Sequence, residues 1–357
     1  MKNIYLQLFD KKNLRKNIVI ATVVRTQGST PQKPGSTAIF SSSGLIAGTV
    51  GGGVVEGRVA EAAMEALKSG KSSLLTYDLY NDIGQKDEAI CGGKITVLLD
   101  AKPGNSETVF ARLAGSLSGR IPGVLATMVT INDESTVLIN RYWISKTEVP
   151  DIQKEFLEKL LPEAGQMINS GDVYDFREMH LSLPDQEPSS VFFLEPVIPR
   201  SKLIIAGAGH IGRALSHLGR LLDFEVTVID DRSEYANSEN IPDADHIIVS
   251  NIGEALSKVE KAEDTFVVIV TRGHKDDAEA LKPCIGTSLA YTGMIGSRKK
   301  VAAIRDSFIE KGWANDVTWG RIYTPIGLEI GSQTVEEIAV SIAAQLVHVR
   351  SGLRRGK

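Results

Sequence analysis

Three stretches bring together residue types that can do chemistry. In Gly207-Ala208-Gly209-His210-Ile211-Gly212, three glycines follow the apolar run Leu203, Ile204, Ile205, Ala206 and precede leucines at helical spacing. Strand, tight turn and helix in that order make a phosphate cradle: Gly207 permits the turn, Gly209 lets a pyrophosphate approach the backbone, and Gly212 lets the helix lie close on the sheet. His210 then stands at the helix N-terminus, where free amides and the helix dipole favour an anion. Asp230 ends the next apolar run about twenty residues on, where a carboxylate can accept hydrogen bonds from ribose hydroxyls. Arg232 suits a 2′-phosphate instead, so NAD and NADP both stay open, as does a fold whose cradle is empty or reused. The second stretch is Gly51-Gly52-Gly53 running into Val54-Val55-Glu56, a second glycine-rich entry to a helix and a second candidate anion cradle. In the third, Cys91 precedes Gly92 and Gly93, with nothing bulky behind the sulfur. An accessible thiol and an inert small hydrophobe are both consistent with that setting.

These residues must be positioned by more than one domain, because 357 residues exceed what a single core usually serves. Forty basic and 44 acidic residues are interspersed along the chain, so no electrostatic feature points to nucleic acid or a membrane surface. No run of 18 apolar residues occurs, and the first residues are too charged beyond Leu8 for a secretory signal, which places the expected location in the cytoplasm. Cys91 and Cys284 have no paired spacing and the six histidines are scattered, so neither a disulfide scaffold nor a metal site is expected.

The periodicity predicts a short helix within 1–16, strands at 18–24, 38–40 and 44–48 with a hairpin at 41–44, and a helix from Val54 to a glycine stop at Gly70. Strands follow at 74–80 and 95–99, a hairpin at 123–131 and 136–140, a helix at 153–168 and a strand at 191–195. Residues 196–201 read as a linker, dividing the chain into domains at 1–198 and 199–357. Beyond the dinucleotide unit, strands at 247–249, 266–270 and 290–292 lead into polar loops at 271–277 and 293–300. Ligands of open α/β sheets bind beyond the carboxyl ends of strands, so Arg272, His274, Ser297 and Arg298 are candidate anion or substrate contacts. Lys299 and Lys300 read as a solvated first helical turn, Cys284 as structural, and 338–349 as a closing helix. The fold class expected is α/β: a C-terminal Rossmann-like doubly wound parallel sheet preceded by an α+β N-terminal domain.

With these motifs in hand, the chain resembles the xanthine dehydrogenase accessory factor family of the XdhC/CoxI type. The likeness covers roughly 15–100 and 202–350 and rests on RTQGSTPQKPG, GTVGGGVVEGR, ICGG, GAGHIG, VIDDR, TRGH, MIGSRKK and TPIGLEIGSQTVEEIAVSI. The resemblance implies a chaperone that binds molybdenum cofactor (molybdopterin). It would protect the cofactor while a cysteine desulfurase supplies the sulfido ligand, then pass it to a molybdenum hydroxylase client such as xanthine dehydrogenase. The implied cofactor contacts are Gly51, Gly52, Gly53, Glu56, Cys91, Gly92 and Gly93, beside the second-domain set Gly207, Gly209, His210, Gly212, Asp230, Arg232, His274, Ser297 and Arg298. Val54 stands where family members often carry Cys, leaving Cys91 as the family-matching thiol. No catalytic residue is assigned. The alternatives left open are an NAD(P)-dependent oxidoreductase or a nucleotide-sensing regulator using the second domain, and a homodimer.

Overall fold

The structure, a computed structural model, describes residues 4–8, 17–79, 92–131, 136–182 and 190–354. It divides into two compact units, Lys2–Pro199 and Arg200–Lys357.

The first unit contains two antiparallel sheets. After the short helix α1 (Ile4–Leu8), strands β1 (Ile18–Gly28), β2 (Thr37–Ser41) and β3 (Gly44–Gly48) form a meander, and helix α2 (Gly53–Ser69) follows. Strands β4 (Ser73–Asp78) and β5 (Gly93–Asp100) complete a five-stranded sheet in the order β3-β2-β1-β5-β4. Along β1 the side chains alternate: Val19, Ala21 and Val23 pack under Val55, Val59, Ala63 and Ala66 of α2, while Ile18 and Ile20 face the other way. Gly70, in the left-handed region with φ 65°, stops α2 as its sequence position predicts.

Helix α3 (Glu107–Ser118) leads to β6 (Gly123–Ile131) and β7 (Val137–Ser145), and helix α4 (Lys154–Ser170) to β8 (Arg177–Leu181) and β9 (Ser190–Val197). These strands make the second sheet, β7-β6-β9-β8. Phe156, Leu160, Ala164 and Met167 of α4 cover one face of it. The other face shares a core of Phe110, Leu113, Leu125 and Trp143 with Ile18, Ile20 and Ile39. Between the sheets lies a buried ion pair, Arg141 of β7 with Asp100 of β5. The guanidinium also stands over the Phe110 ring, and the other Asp100 oxygen accepts the Lys102 amide at 2.9 Å.

One sequence expectation is corrected here. Pro196 and Val197 belong to β9 and not to a linker, with Pro196 opposite Val124. Strand β8 stops pairing at Leu194, so the missing proline N–H faces no neighbour that needs it.

The second unit is a parallel sheet of β10 (Lys202–Ala206), β11 (Glu225–Asp230), β12 (His246–Val249), β13 (Thr265–Ile269) and β14 (Tyr291–Met294), in the order β12-β11-β10-β13-β14. Helices α5 (His210–Leu221) and α10 (Val335–Arg354) cover one face. Helices α6 (Ile252–Lys258), α7 (His274–Leu281) and α8 (Arg298–Glu310) cover the other, and the short α9 (Asp316–Trp319) adds Trp319 to that core. Every described strand here is parallel to its neighbours, as the buried apolar runs of β10 and β13 foretell, while the edge strand β12 is largely exposed. The polar stretch 271–277 is only half a loop, because α7 begins at His274 and Asp276 and Asp277 lie in its first turn, where the helix dipole favours acids. Among the described residues no helix is long and apolar enough to cross a membrane.

The Asp100–Arg141 pair makes a direct test of how the two sheets are joined. Arg141→Met keeps the aliphatic volume but leaves a buried carboxylate unpaired, and should cost about 3–5 kcal/mol. A denaturant midpoint indistinguishable from wild type would show that the pair is not structural.

Candidate functional site

In the first unit the Gly51–Gly53 and Gly92–Gly93 segments meet on one loop, residues 28–36. The β1–β5 ladder ends with Gly28 opposite Gly93. A Cβ on Gly93 would lie 2.5 Å from the carbonyl oxygens of both Gln27 and Ser29, so no side chain fits. Gly28, with φ 73°, has the Gly92 carbonyl oxygen 3.0 Å from its own Cβ direction. Three residues along the loop, Pro31 stands 2.8 Å from where a Gly51 Cβ would be. Gly92, Gly93 and Gly51 are therefore brought to the same short loop; Cys91 itself lies outside the described residues.

The triple glycine forms the entry to α2. Thr49 Oγ1 donates to Glu56 Oε2 at 2.8 Å and accepts the Gly51 amide at 3.2 Å, which fixes the turn. Glu56 thus holds the cradle in shape, a role its sequence position does not reveal. Gly52 is the N-cap and supplies no side chain to the first-turn amides, and open space surrounds the Cβ directions of Gly52 and Gly53. Uncapped amides at the positive end of a 17-residue helix suit an anion. Beside this loop is a cleft of about 460 Å³, walled by residues of 30–36 and by Val173, Tyr174 and Phe176, with Glu195 and Pro196.

The second unit builds its site at the carboxyl ends of β10 and β13. Gly207 has φ 119°, and a Cβ there would sit 2.5 Å from the Val270 carbonyl oxygen. A Cβ on Gly212 would overlap the Gly207 carbonyl oxygen, whereas Gly209 has nothing within 4 Å. As N-cap of α5, Gly209 leaves the first-turn amides without a side-chain partner. His210 opens the helix, is exposed, and lines a cleft of about 640 Å³ with Arg213, His217, Asp243 and Glu336.

Asp230 departs from its expected role. Its carboxylate is buried and accepts the Ala208 amide at 2.8 Å, the Arg232 amide at 3.0 Å, and Arg232 Nε and Nη2 at 2.9 Å each. Burial alone would raise its pKa, but Arg232 and the two amides outweigh that and hold it down to about 2. Neither oxygen is presented to a ribose, and the Ala208 amide is taken from the cradle. Arg232 is likewise committed, with its guanidinium 4.0 Å from the Tyr235 ring centre. The outward carboxylate is Asp231, paired at 3.1 Å with Arg272, which also approaches Asp276.

The 293–300 stretch is corrected in the same way. Ser297 caps α8, accepting the Lys300 amide at 3.4 Å. Lys300 is not a solvated first-turn lysine: it pairs with the fully buried Asp277, to which Thr271 Oγ1 donates at 2.5 Å. This cluster ties α7 to α8 beneath the crevice. Among the described residues Arg298 pairs with Glu329 alone, at 3.7 Å and with both side chains almost fully exposed, an arrangement that contributes little. His274 begins α7, and its side chain lies outside the described residues. Cys284 is buried at the end of α7, where burial pushes its thiol up to about 12, consistent with a structural residue.

Comparison with known proteins finds a family match in each of the two units. Residues 203–346 match the XdhC Rossmann domain, and residues 13–78 match the XdhC and CoxI family. The chain belongs to the XdhC and CoxI family. A Bacillus subtilis (strain 168) protein named as a probable xanthine dehydrogenase subunit is 24% identical over 343 residues, 94% of each chain. The uncharacterized protein YqeB of Escherichia coli (strain K12) is 33% identical over 158 residues, 44% of this chain; the match spans only 29% of that protein's length. A crystal structure described as a xanthine dehydrogenase from Bacillus halodurans superposes with a TM-score of 0.75 over 98% of this chain and 95% of its own, at 24% identity. That likeness is one of fold.

Two pairs of residues in this XdhC-type chain had no signal in its sequence. Lys300 and Asp277 meet across 23 positions, and Glu195 reaches Tyr5 across 190. Only the tertiary fold pairs them.

The two glycines of the second cradle should separate function from folding. Gly209→Val places its side chain in open space, so the melting temperature should hold while phosphate-bearing ligands lose affinity. Gly212→Ala should cost on the order of 2 kcal/mol, because backbone must move. Loss of stability in the first variant, or none in the second, would contradict this geometry. A further expectation concerns acid. With a folded pKa of about 2 against an ordinary value of 3.8, Asp230 stabilises the native state above pH about 4 and that stabilisation is lost as the pH falls toward 2. It amounts to on the order of 2 kcal/mol, and Asp230→Asn should remove that part of the pH dependence of unfolding.

Proposed function

We propose that this chain binds molybdenum cofactor and holds it for sulfuration and insertion into a xanthine dehydrogenase-type molybdenum hydroxylase. The observation that carries the reading is the convergence of Gly51, Gly92 and Gly93 on the loop 28–36, beside the uncapped start of α2. Family membership and the relatives named for xanthine dehydrogenase support it.

The residues fit such a group. Molybdopterin ends in a phosphate, and the Gly52–Gly53 entry has free first-turn amides, a helix dipole and space where side chains would otherwise stand. Glu56 keeps that entry in shape through Thr49. Cys91, two residues from Gly93, is the thiol we assign to holding the cofactor, since a thiolate is a soft ligand suited to metal and sulfur chemistry. When bound, the cofactor supplies the molybdenum centre that the client uses. The chain's own part is to bind, orient and shield it. A cysteine desulfurase would be the sulfur donor and the hydroxylase the recipient.

An NAD(P)-linked oxidoreductase is less well supported. The carboxylate that a dinucleotide ribose would engage is already saturated by Ala208 and Arg232.

Adding the full-length protein during maturation of a molybdenum hydroxylase should raise the client's activity, and Cys91→Ser should lower that gain without changing any NAD(P) affinity. Robust NAD(P) reduction by the purified protein alone, unaffected by Cys91→Ser, would overturn the proposal.

A further inference from the structure

Glu195, which takes no part in shaping the glycine cradle, is among the residues that line the 460 Å³ cleft in the first unit. Glu195 lies on β9 and also lines a small internal cavity between the sheets, together with Tyr5 and Arg141. Tyr5 donates a hydrogen bond to Oε2 at 2.5 Å. Among the described residues no other group bonds to this carboxyl. The cleft is lined by Pro31, Pro34 and Pro196, by Phe176, which stacks on Phe193, and by the exposed Tyr174, over whose ring Lys33 stands, together with the polar Thr30, Gln32 and Ser36.

We propose that Glu195 anchors a binding site for a planar nitrogen heterocycle presenting a ring N–H beside an exocyclic amino group, the edge shared by pterins and guanines. A carboxylate offers two parallel acceptors at the spacing of such a donor pair, as it does for arginine. The proline side chains of the cleft offer flat apolar surface to such a ring, and the volume is that of a small-molecule pocket. That the natural ligand is a pterin rests on the proposed function; the carboxyl site does not.

The groups facing Glu195 are Tyr5 on α1 and Arg141 on β7, the latter held by Asp100, with Lys33 on the cleft wall. Burial raises the Glu195 carboxyl to about 7, against the lowering effects of the Tyr5 hydrogen bond and the Arg141 charge. Tyr5 is itself pushed well above the usual phenol range by burial, so it keeps its proton at neutral pH. A donor edge binds the ionised carboxylate. Affinity should therefore be level above pH about 7 and fall toward tenfold per pH unit below it.

The test is fluorescence titration of the full chain with a metal-free pterin, and competition of that probe by guanosine and by adenosine, between about pH 5.5 and 7.5. Pterin and guanosine should bind and adenosine, which lacks the donor pair, should not. Glu195→Gln places an amide donor against the ligand's donors and should weaken pterin binding at least about tenfold while flattening its pH dependence. Tyr5→Phe removes a bond that lowers the Glu195 pKa, so it should move the pH midpoint upward and leave the high-pH affinity in place, a result that mere loss of structure would not give. Equal binding of adenosine, or an unchanged pH profile in Glu195→Gln, overturns the site. Molybdenum cofactor retained unchanged by Glu195→Gln overturns the site while leaving the proposed function standing; guanosine bound at Glu195 by a protein that never takes up the cofactor does the reverse.

Discussion

The first unit depends on a place where two backbones come closer than any side chain allows. Gly93 sits against the carbonyl oxygens of Gln27 and Ser29, and Gly28 against that of Gly92. This contact closes the central β1–β5 ladder at its open end and fixes where the chain leaves β1. From that point the loop 28–36 is carried over to Pro31's contact with Gly51, so the entry to α2 is placed by the same event. Either flank alone would be an ordinary glycine turn. Joined, they make one surface from segments that are far apart in sequence, beside a cleft whose lining includes Glu195.

The second unit keeps the glycine geometry of a phosphate-binding turn while its acidic residue is turned inward. Gly207 and Gly212 are required by packing, one against the Val270 carbonyl and the other against Gly207 itself. Gly209 alone stands free of such contacts, and it is the residue through which a ligand could approach. Asp230, in contrast, is turned inward. Its bonds to Ala208 and Arg232 brace the glycine turn from beneath, a positioning role in which the carboxylate supports the cradle without facing what enters it. Buried charge of this kind is stable because every acceptor is used, and for the same reason it is unavailable to a ligand.

Much of this was legible in the residues. The parallel sheet followed from short β-branched runs separated by helical periods, and the hairpin of β2 and β3 and the glycine stop of α2 followed from local turn and cap chemistry. What local pattern could not carry was partnership over distance. Asp100 and Arg141, or Asp277 and Lys300, look like ordinary surface charges until the fold buries them together. Pro196 suggested a linker because proline usually leaves a sheet, yet its neighbour β8 has already ended. Asp230 was read from a motif whose spacing it satisfies, while the residue that decides its role, Arg232, lies two positions on and competes for the same oxygens.

Carriage of molybdenum cofactor by this chain is tested most directly by the stoichiometry of the purified protein. Full-length protein isolated without oxygen from molybdenum-replete cells, then assayed for metal and for oxidised pterin derivatives, should contain molybdenum and molybdopterin in equal amounts. Protein that contains neither and takes up neither when offered the cofactor, while holding a nicotinamide nucleotide instead, would contradict it.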